Sequence, residues 1–313
     1  MSEPALQMDA AYRHDALLYQ GLQDFVHRTV SFIRNGIDAG EPVLVATTAA
    51  HIAALHSELG PDAGEVRFAD MAEVGSNPAR IIPYWMDFIA QAGGRPVRGI
   101  GEPIWAGRSP AELVECQRHE SLLNAAIEMS TSMWLLCPYD TSALPRDVIE
   151  EARRSHPFVT EGATRRESGA YRPGLEPTAA GVASLPQPPA QRREFAFGPA
   201  DLGSVRGIAA AGAAEAGMTA ARTHDLVLAA HEVATNSVRH GGGGGVLRVW
   251  REDGSLICEF RDGGRLDDPL ADRRRPEASV AGRRGLWVAN QLCDLVQIRS
   301  EPTGTAVRIH MRT

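Results

Sequence analysis

Residues 231–245 read HEVATNSVRHGGGGG, a helical pattern that runs straight into five glycines. At about 100° per residue, Val227, Ala230, Ala234 and Val238 share one face, with Leu226 and Val233 beside them. Glu232, Asn236 and His240 fall four residues apart on the other side. The apolar stripe predicts a helix laid on a core. The polar stripe reads either as a solvated face or as a site, and the glycines read as a flexible turn into the next strand.

The surrounding text predicts an α+β layer. REFAFG is a strand and DLGSVRGIAAAGAAEAG a helix stopping at Gly217, after which Thr219 or Thr223 caps the helix that ends at His240. GVLRVWRED and SLICEFRDGG form a hairpin turning at Asp253-Gly254. GLWVANQLCDLV reads as a late helix and TAVRIHM as the closing strand. Glycine and acid recur at fixed places. Asp262, Gly263 and Gly264 end a strand, Gly282, Gly285 and Leu286 open a helix, and Gly304 and Thr305 precede the last strand.

These blocks, in this order, resemble the ATP-binding domain of the gyrase, heat-shock chaperone, histidine kinase and MutL (GHKL) superfamily, in particular its anti-sigma-factor serine kinase branch. The resemblance covers residues 193–313 and implies a GHKL sandwich of helices on a mixed, mostly antiparallel sheet. It implies Mg-ATP as cofactor, with Glu232 as general base and Asn236 as the Mg²⁺ ligand. A carboxylate and an amide oxygen suit those tasks. By the same resemblance Asp262 accepts from the adenine amino group, Gly264 lets backbone approach the ring, and Thr305 sits behind it. Gly282, Gly285 and Leu286 match the loop and helix N-terminus that hold phosphate. Two positions depart from the pattern: Leu266 stands where the last glycine of D-x-G-x-G belongs, and Arg283 where a glycine is common. Arg273, Arg274 and Arg275 read as a phosphate clamp or a solvated charge cluster, with the solvated reading preferred.

Composition narrows the chemistry. All 32 basic residues of the 313 are arginine, so no P-loop lysine, kinase strand lysine or Schiff-base lysine is available. A formal charge of -7 argues against a nucleic-acid surface as the main purpose. No apolar run reaches the roughly 18–20 residues of a membrane span, and the N-terminus lacks a signal-peptide core. The four cysteines show no disulfide spacing, so a cytoplasmic protein is expected.

Residues 1–163 alternate strand and helix signals, which predicts a parallel α/β sheet. EPVLVAT reads as the first strand, followed by ATTAAH rather than a phosphate loop. Residues 164–192 are rich in Pro, Gly and Ala and read as a linker. GEPIWAGRSPAELVECQRHESLLN, WLLCPYDTSAL and the pair His156-Pro157 resemble the MEDS sensory domain of bacterial and archaeal regulators. That resemblance implies a RecA-like fold without a working P-loop and a small-molecule signal. His14, Tyr19, Glu102, Trp105, Glu115, His119 and Glu120 are candidates for its pocket. Cys116, His119, Cys137 and His156 can be read as metal ligands, but without paired C-x-x-C spacing the reading as buried thiols and locally bonded histidines is preferred.

Together the resemblances imply a sensor-regulated anti-sigma factor. It would bind a sigma factor and phosphorylate a STAS-type antagonist on Ser or Thr, and its relatives are commonly homodimers. The alternative is a nucleotide-responsive module that sequesters its partner without phosphoryl transfer. A histidine kinase is excluded, because no helical hairpin bearing a phosphorylatable histidine precedes the ATP domain.

Overall fold

Val43–Thr47 is an unbroken run of β-prone residues, buried at every position, as a strand covered on both faces must be. In the computed structural model, which describes residues 12–173, 184–276 and 284–313, this run is strand β2 of a parallel sheet. The chain divides into two compact units, Met1–Gly75 with Tyr84–Thr178 and Ser76–Pro83 with Ala179–Thr313.

In the first unit the strands are β1 (Tyr12–Tyr19), β2 (Val43–Thr47), β3 (Val66–Asp70), β4 (Val97–Gly101), β5 (Met133–Asp140), β6 (Phe158–Glu161) and β7 (Thr164–Glu167). Their order is β3-β2-β4-β5-β1-β6-β7, and only the β6–β7 pair is antiparallel. Helices α1 (Gly21–Asp38), α2 (Ala49–Leu59), α3 (Met71–Val74), α4 (Ile81–Gln91), α5 (Pro110–Ala126) and α6 (Arg146–Ser155) connect them. Helix α5 opens on a capping box between Ser109 and Glu112, with Pro110 at the first turn.

The structure corrects the expected first strand. Tyr12–Tyr19 precedes β2 and lies inside the sheet, between β5 and β6. Its polar His14 and Asp15 interrupt the apolar pattern, yet both are buried and partnered, Asp15 by Trp134 and Arg165. The text read as a linker also begins inside a hairpin, since Thr164–Glu167 pairs with β6. Further along that text Leu185 is buried, and Arg308 donates to the Pro186 carbonyl.

The second unit is an α+β sandwich. Strands β8 (Arg193–Phe197), β9 (Gly245–Glu252), β10 (Ser255–Asp262), β11 (Leu295–Glu301) and β12 (Gly304–Arg312) form an antiparallel sheet in the order β11-β12-β10-β9-β8. Helices α7 (Leu202–Glu215), α8 (Ala220–His240) and α9 (Gly285–Leu292) share its core. Leu256, Cys258 and Phe260 alternate inward from β10 against Val205, Ala230 and Val233. Each large apolar side chain buried there contributes roughly 1.5–3 kcal/mol. The turn residues Asp253 and Gly254 both take positive φ, at 47° and 69°, as the hairpin reading requires.

The late helix is shorter than the sequence predicts. It stops at Leu292, Cys293 is extended with ψ 151°, and Leu295–Glu301 is a strand. The alternation of Val296 and Ile298 with Gln297 and Arg299 suits strand pairing with β12 better than another helical turn. Among the described residues no helix is long and apolar enough to cross a membrane.

Candidate nucleotide site

Thr219 caps α8 by accepting from the Arg222 amide at 3.3 Å, which settles the choice between the two threonines. The buried stripe of α8 is Leu226, Ala229, Ala230, Val233, Ala234 and Ser237; Val227 and Val238 are only partly buried. The stripe is therefore rotated toward Ser237 relative to the sequence reading. Asn236 stands at its edge, half-buried.

The glycines after His240 are a tight crossing rather than a slack turn. A Cβ at Gly241 would collide with the Asp262 side chain, and Gly242 and Gly243 take φ of 90° and 98°. Beyond them a Cβ at Gly264 would meet the His240 carbonyl, with Gly241 Cα 2.8 Å away. The end of α8 and the end of β10 are thereby pressed together, backbone against backbone. Gly263 N donates to Gly241 O at 3.0 Å, which ties the two segments.

This contact forms one end of a cavity of about 700 Å³, a size usual for small-molecule sites. Val233, Asn236, Ser237 and His240 line it from α8, Asp262 from the end of β10 and Gly264 from just beyond it, Leu286 from α9, and Thr305 and Val307 from β12. Asp262 is held in place: Gly264 N donates to its Oδ1 at 2.8 Å, and Thr305, its cross-strand partner, donates to Gly264 O at 2.8 Å. One carboxylate oxygen is thus occupied by backbone, and among the described residues no hydrogen bond is made to the other. Arg265, Arg274 and Arg275 stand on the wall together with Asp267 and Asp268.

The residues singled out from sequence are placed as follows. Asn236, Asp262, Gly264, Leu286 and Thr305 share this cavity. Gly285 is the first residue of α9 and packs directly on Asn236; a Cβ there would lie 2.7 Å from Asn236 Nδ2. Glu232 is half-buried one turn back along α8 and is not on the cavity wall. Gly282 and Arg283 lie outside the described residues. The arginine cluster is divided, with Arg273 buried beside Asp272 and Arg274 and Arg275 on the wall. The sequence reading missed Ser237 as a wall residue. Its spacing of four from Val233 was the available signal.

The sensory candidates of the first unit fall into separate groups. Tyr19 donates to Glu102 Oε1 at 2.6 Å; Thr47 donates to Glu102 Oε2, and His51 Nδ1 lies 2.7 Å from the same oxygen. Burial and the Glu102 charge push the Tyr19 phenol well up. Trp105 carries the Arg108 guanidinium 3.9 Å above its ring. Glu115 is buried with Arg118 3.6 Å away, and His119 is buried on the same helix. His14 and Glu120 belong together at 3.1 Å. Burial alone would raise the Glu120 carboxyl, but hydrogen bonds and charge from His14 and His156 outweigh it and hold its pKa well below the usual carboxylate range. Cys116 lies apart from that group, donating to Pro103 O at 3.2 Å, and burial pushes its thiol up to about 12.

Comparison with known families agrees with both halves. Residues 13–157 match the MEDS domain, the methanogen/methylotroph, DcmR sensory domain, and residues 195–311 match the histidine kinase-like ATPase domain. No curated protein matches the chain significantly. Among solved structures it is similar to the RsbU and RsbW domains of a Mycobacterium tuberculosis protein, at 21% identity and a TM-score of 0.31. That similarity covers 40% of this chain and 33% of the other, so the chain spans about a third of that structure.

Proposed function

The chain joins a MEDS sensory domain to a histidine kinase-like ATPase domain, and from that premise we propose that it is a signal-controlled anti-sigma factor that binds Mg-ATP in the second unit. It would phosphorylate a STAS-type antagonist on Ser or Thr, so that a sigma factor is held or released by partner switching. The observation that carries the nucleotide reading is the convergence of Asp262 and Asn236 on one cavity whose neighbouring glycines admit no side chain. Asp262 presents a carboxylate oxygen that no described residue occupies, suited to an exocyclic amine. Its backbone-held partner oxygen fixes its direction.

Magnesium fits the residues present. Asn236 offers a hard amide oxygen beside Gly285, and Arg274 and Arg275 on the same wall offer positive charge to the nucleotide phosphates. The ion would be held by Asn236 and nucleotide oxygens, and it would neutralise phosphate charge. Glu232 would accept the proton of the attacking hydroxyl. That role requires Glu232 to reach the γ-phosphate from one turn behind Asn236.

A specific observation favours the second reading, binding without transfer: Glu232 is off the cavity wall, while Leu266 lines it. Calorimetry with and without Mg²⁺, followed by a phosphorylation assay on a STAS-type antagonist, separates the two. The kinase reading expects magnesium-dependent binding, weakened at least about tenfold (about 1.4 kcal/mol) by Asp262→Asn and by Asn236→Ala. It also expects Glu232→Gln to abolish transfer while binding persists. Binding by wild type without transfer establishes the second reading, and no nucleotide binding removes both.

A further inference from the structure

Four side chains from distant parts of the first unit meet at one buried point. His14 comes from β1, Glu120 from α5, Cys137 from β5, and His156 from the residue that ends α6. One donor atom of each lies within 4.8 Å of all the others, and all four residues are buried. Cys137 Sγ is 3.3 Å from His14 Nε2, and Glu120 Oε2 is 3.1 Å from His14 Nε2 and 3.3 Å from His156 Nε2.

The surrounding hydrogen bonds fix which ring nitrogens point inward with a lone pair. Asn124 Nδ2 donates to Ser155 O at 2.8 Å, which orients the amide and leaves its Oδ1 as an acceptor. His14 Nδ1, 2.9 Å from that oxygen, therefore carries hydrogen. His156 Nδ1 is 2.8 Å from Ala152 O, a carbonyl that can only accept, so it carries hydrogen too. In their neutral forms both imidazoles then turn a bare Nε2 toward a carboxylate oxygen and a thiol. With both rings neutral, three acceptors converge with a single S–H proton to share: among the described residues Glu120 Oε1 has no hydrogen-bond partner, and His156 Nε2 has only Glu120 Oε2 beside it, 3.3 Å away. Buried acceptors without donors are costly unless a cation sits among them.

We propose that His14, Glu120, Cys137 and His156 bind one divalent transition-metal ion, zinc in the first instance. Two imidazoles, a thiolate and a carboxylate are a zinc donor set, and tetrahedral bonds of about 2.0–2.3 Å place donors roughly 3.4–3.8 Å apart. Contraction of the widest pair by about an ångström satisfies that geometry. The Nδ1–H bonds to Asn124 and Ala152 are the outer shell that such histidines ordinarily carry. The ion would pin β1, α5, β5 and the end of α6 to one point. The set differs from the one read off the sequence, because Cys116 points to Pro103 instead. On binding, the Cys137 proton leaves to solvent and the sulfur–metal bond forms, without redox change.

The test uses the full chain, purified without a polyhistidine tag, stripped with chelator and titrated with Zn²⁺ and Co²⁺. The expected result is one equivalent of metal by plasma mass spectrometry and a thiolate-to-cobalt charge-transfer band that disappears in Cys137→Ser. Asn124→Ala, which touches no metal, should weaken affinity about 10–100-fold. Cys116→Ser should leave stoichiometry and spectrum unchanged. The proposal falls if stripped wild type takes up no stoichiometric metal and its melting temperature ignores added zinc, the outcome expected if His14 and Glu120 merely share a proton. It falls equally if the cobalt band survives in Cys137→Ser. Should that variant not fold, unchanged affinity in Asn124→Ala overturns it.

Discussion

Glu259 alternates with the inward-facing Cys258 and Phe260, so its carboxylate lies on the sheet face turned away from the helices. It is fully buried there among arginines, with Arg308 Nη2 at 2.5 Å, Arg261 Nε at 2.8 Å and Arg248 Nη1 at 3.3 Å. Burial alone would raise its pKa, but the hydrogen bonds from Arg261 and Arg308 win and lower it. A depressed folded-state value contributes stability that is complete above the unfolded pKa near 4.5 and is lost as pH falls through the folded one. Glu259→Gln should therefore flatten the decline of the urea midpoint between about pH 6 and pH 3. It should also cost on the order of 3 kcal/mol near neutrality, because Arg308 keeps a buried charge without its counter-ion. Equal acid sensitivity in both proteins would show that other carboxylates govern the transition. The glycines at the cavity allow a second comparison. Gly264→Ala drives a Cβ into backbone that cannot move aside, whereas the nearest atom to a Cβ at Gly263 is 3.6 Å away. The first should destabilise by about 1–3 kcal/mol and weaken the proposed ATP binding, and the second should do neither. Titration calorimetry on the pair reads the difference.

Helix α8 shows what an element reveals before folding and what it does not. Its end at His240 follows from local chemistry, whereas the choice of Thr219 as cap and the turn of the stripe toward Ser237 come from the fold, and Thr219→Ala should cost about 1 kcal/mol, read as a lowered unfolding midpoint. No change would mean that the packing of the helix holds its start without the cap. Strand β2 and the β9–β10 hairpin were legible for the same reason: an apolar run and an Asp-Gly turn are local signals. β1 was not. His14 and Asp15 look like surface residues until Glu120, Arg165 and Trp134, more than a hundred residues away, come to meet them. β11 was absorbed into the preceding helix, since CDLVQIRS carries both periods until β12 supplies hydrogen-bond partners. The candidate site divides along the same line. Asp262 and Gly264 are recognisable in a five-residue window, while Arg274 reaches the cavity wall only through the path of its loop.

Chain order and unit membership differ at one place that composition gives no hint of. The main division falls between Thr178 and Ala179, inside the stretch read as a linker, yet Ser76–Pro83 belongs with the second unit. Within that unit Asn77 Nδ2 donates to Asn290 O and Oδ1, both at 3.0 Å, and Asn290 Nδ2 donates to Asp272 O at 3.0 Å. Arg80 donates to the carbonyls of Asn290, Gln291 and Cys293 at 2.8–2.9 Å, supplying positive charge and donors where α9 runs out of them. Helix α9 brings Leu286 to the cavity, and the Asp272 segment brings Ala271, Arg274 and Arg275. Stability of this segment is therefore stability of the cavity wall. Asn77→Ala removes donors from a site that is wholly buried, leaves Asn290 Oδ1 unpaired and should cost about 1–3 kcal/mol locally. Amide exchange should accelerate across Gly285–Leu292 and spare Val43–Thr47, whose strand lies in the first unit. Nucleotide affinity should fall in parallel, because a ligand bound to the ordered wall must then supply the ordering energy that Asn77 had contributed. Unchanged exchange across the helix would show that its own packing on α8 suffices, and that the eight inserted residues are held by the second unit without helping to hold it.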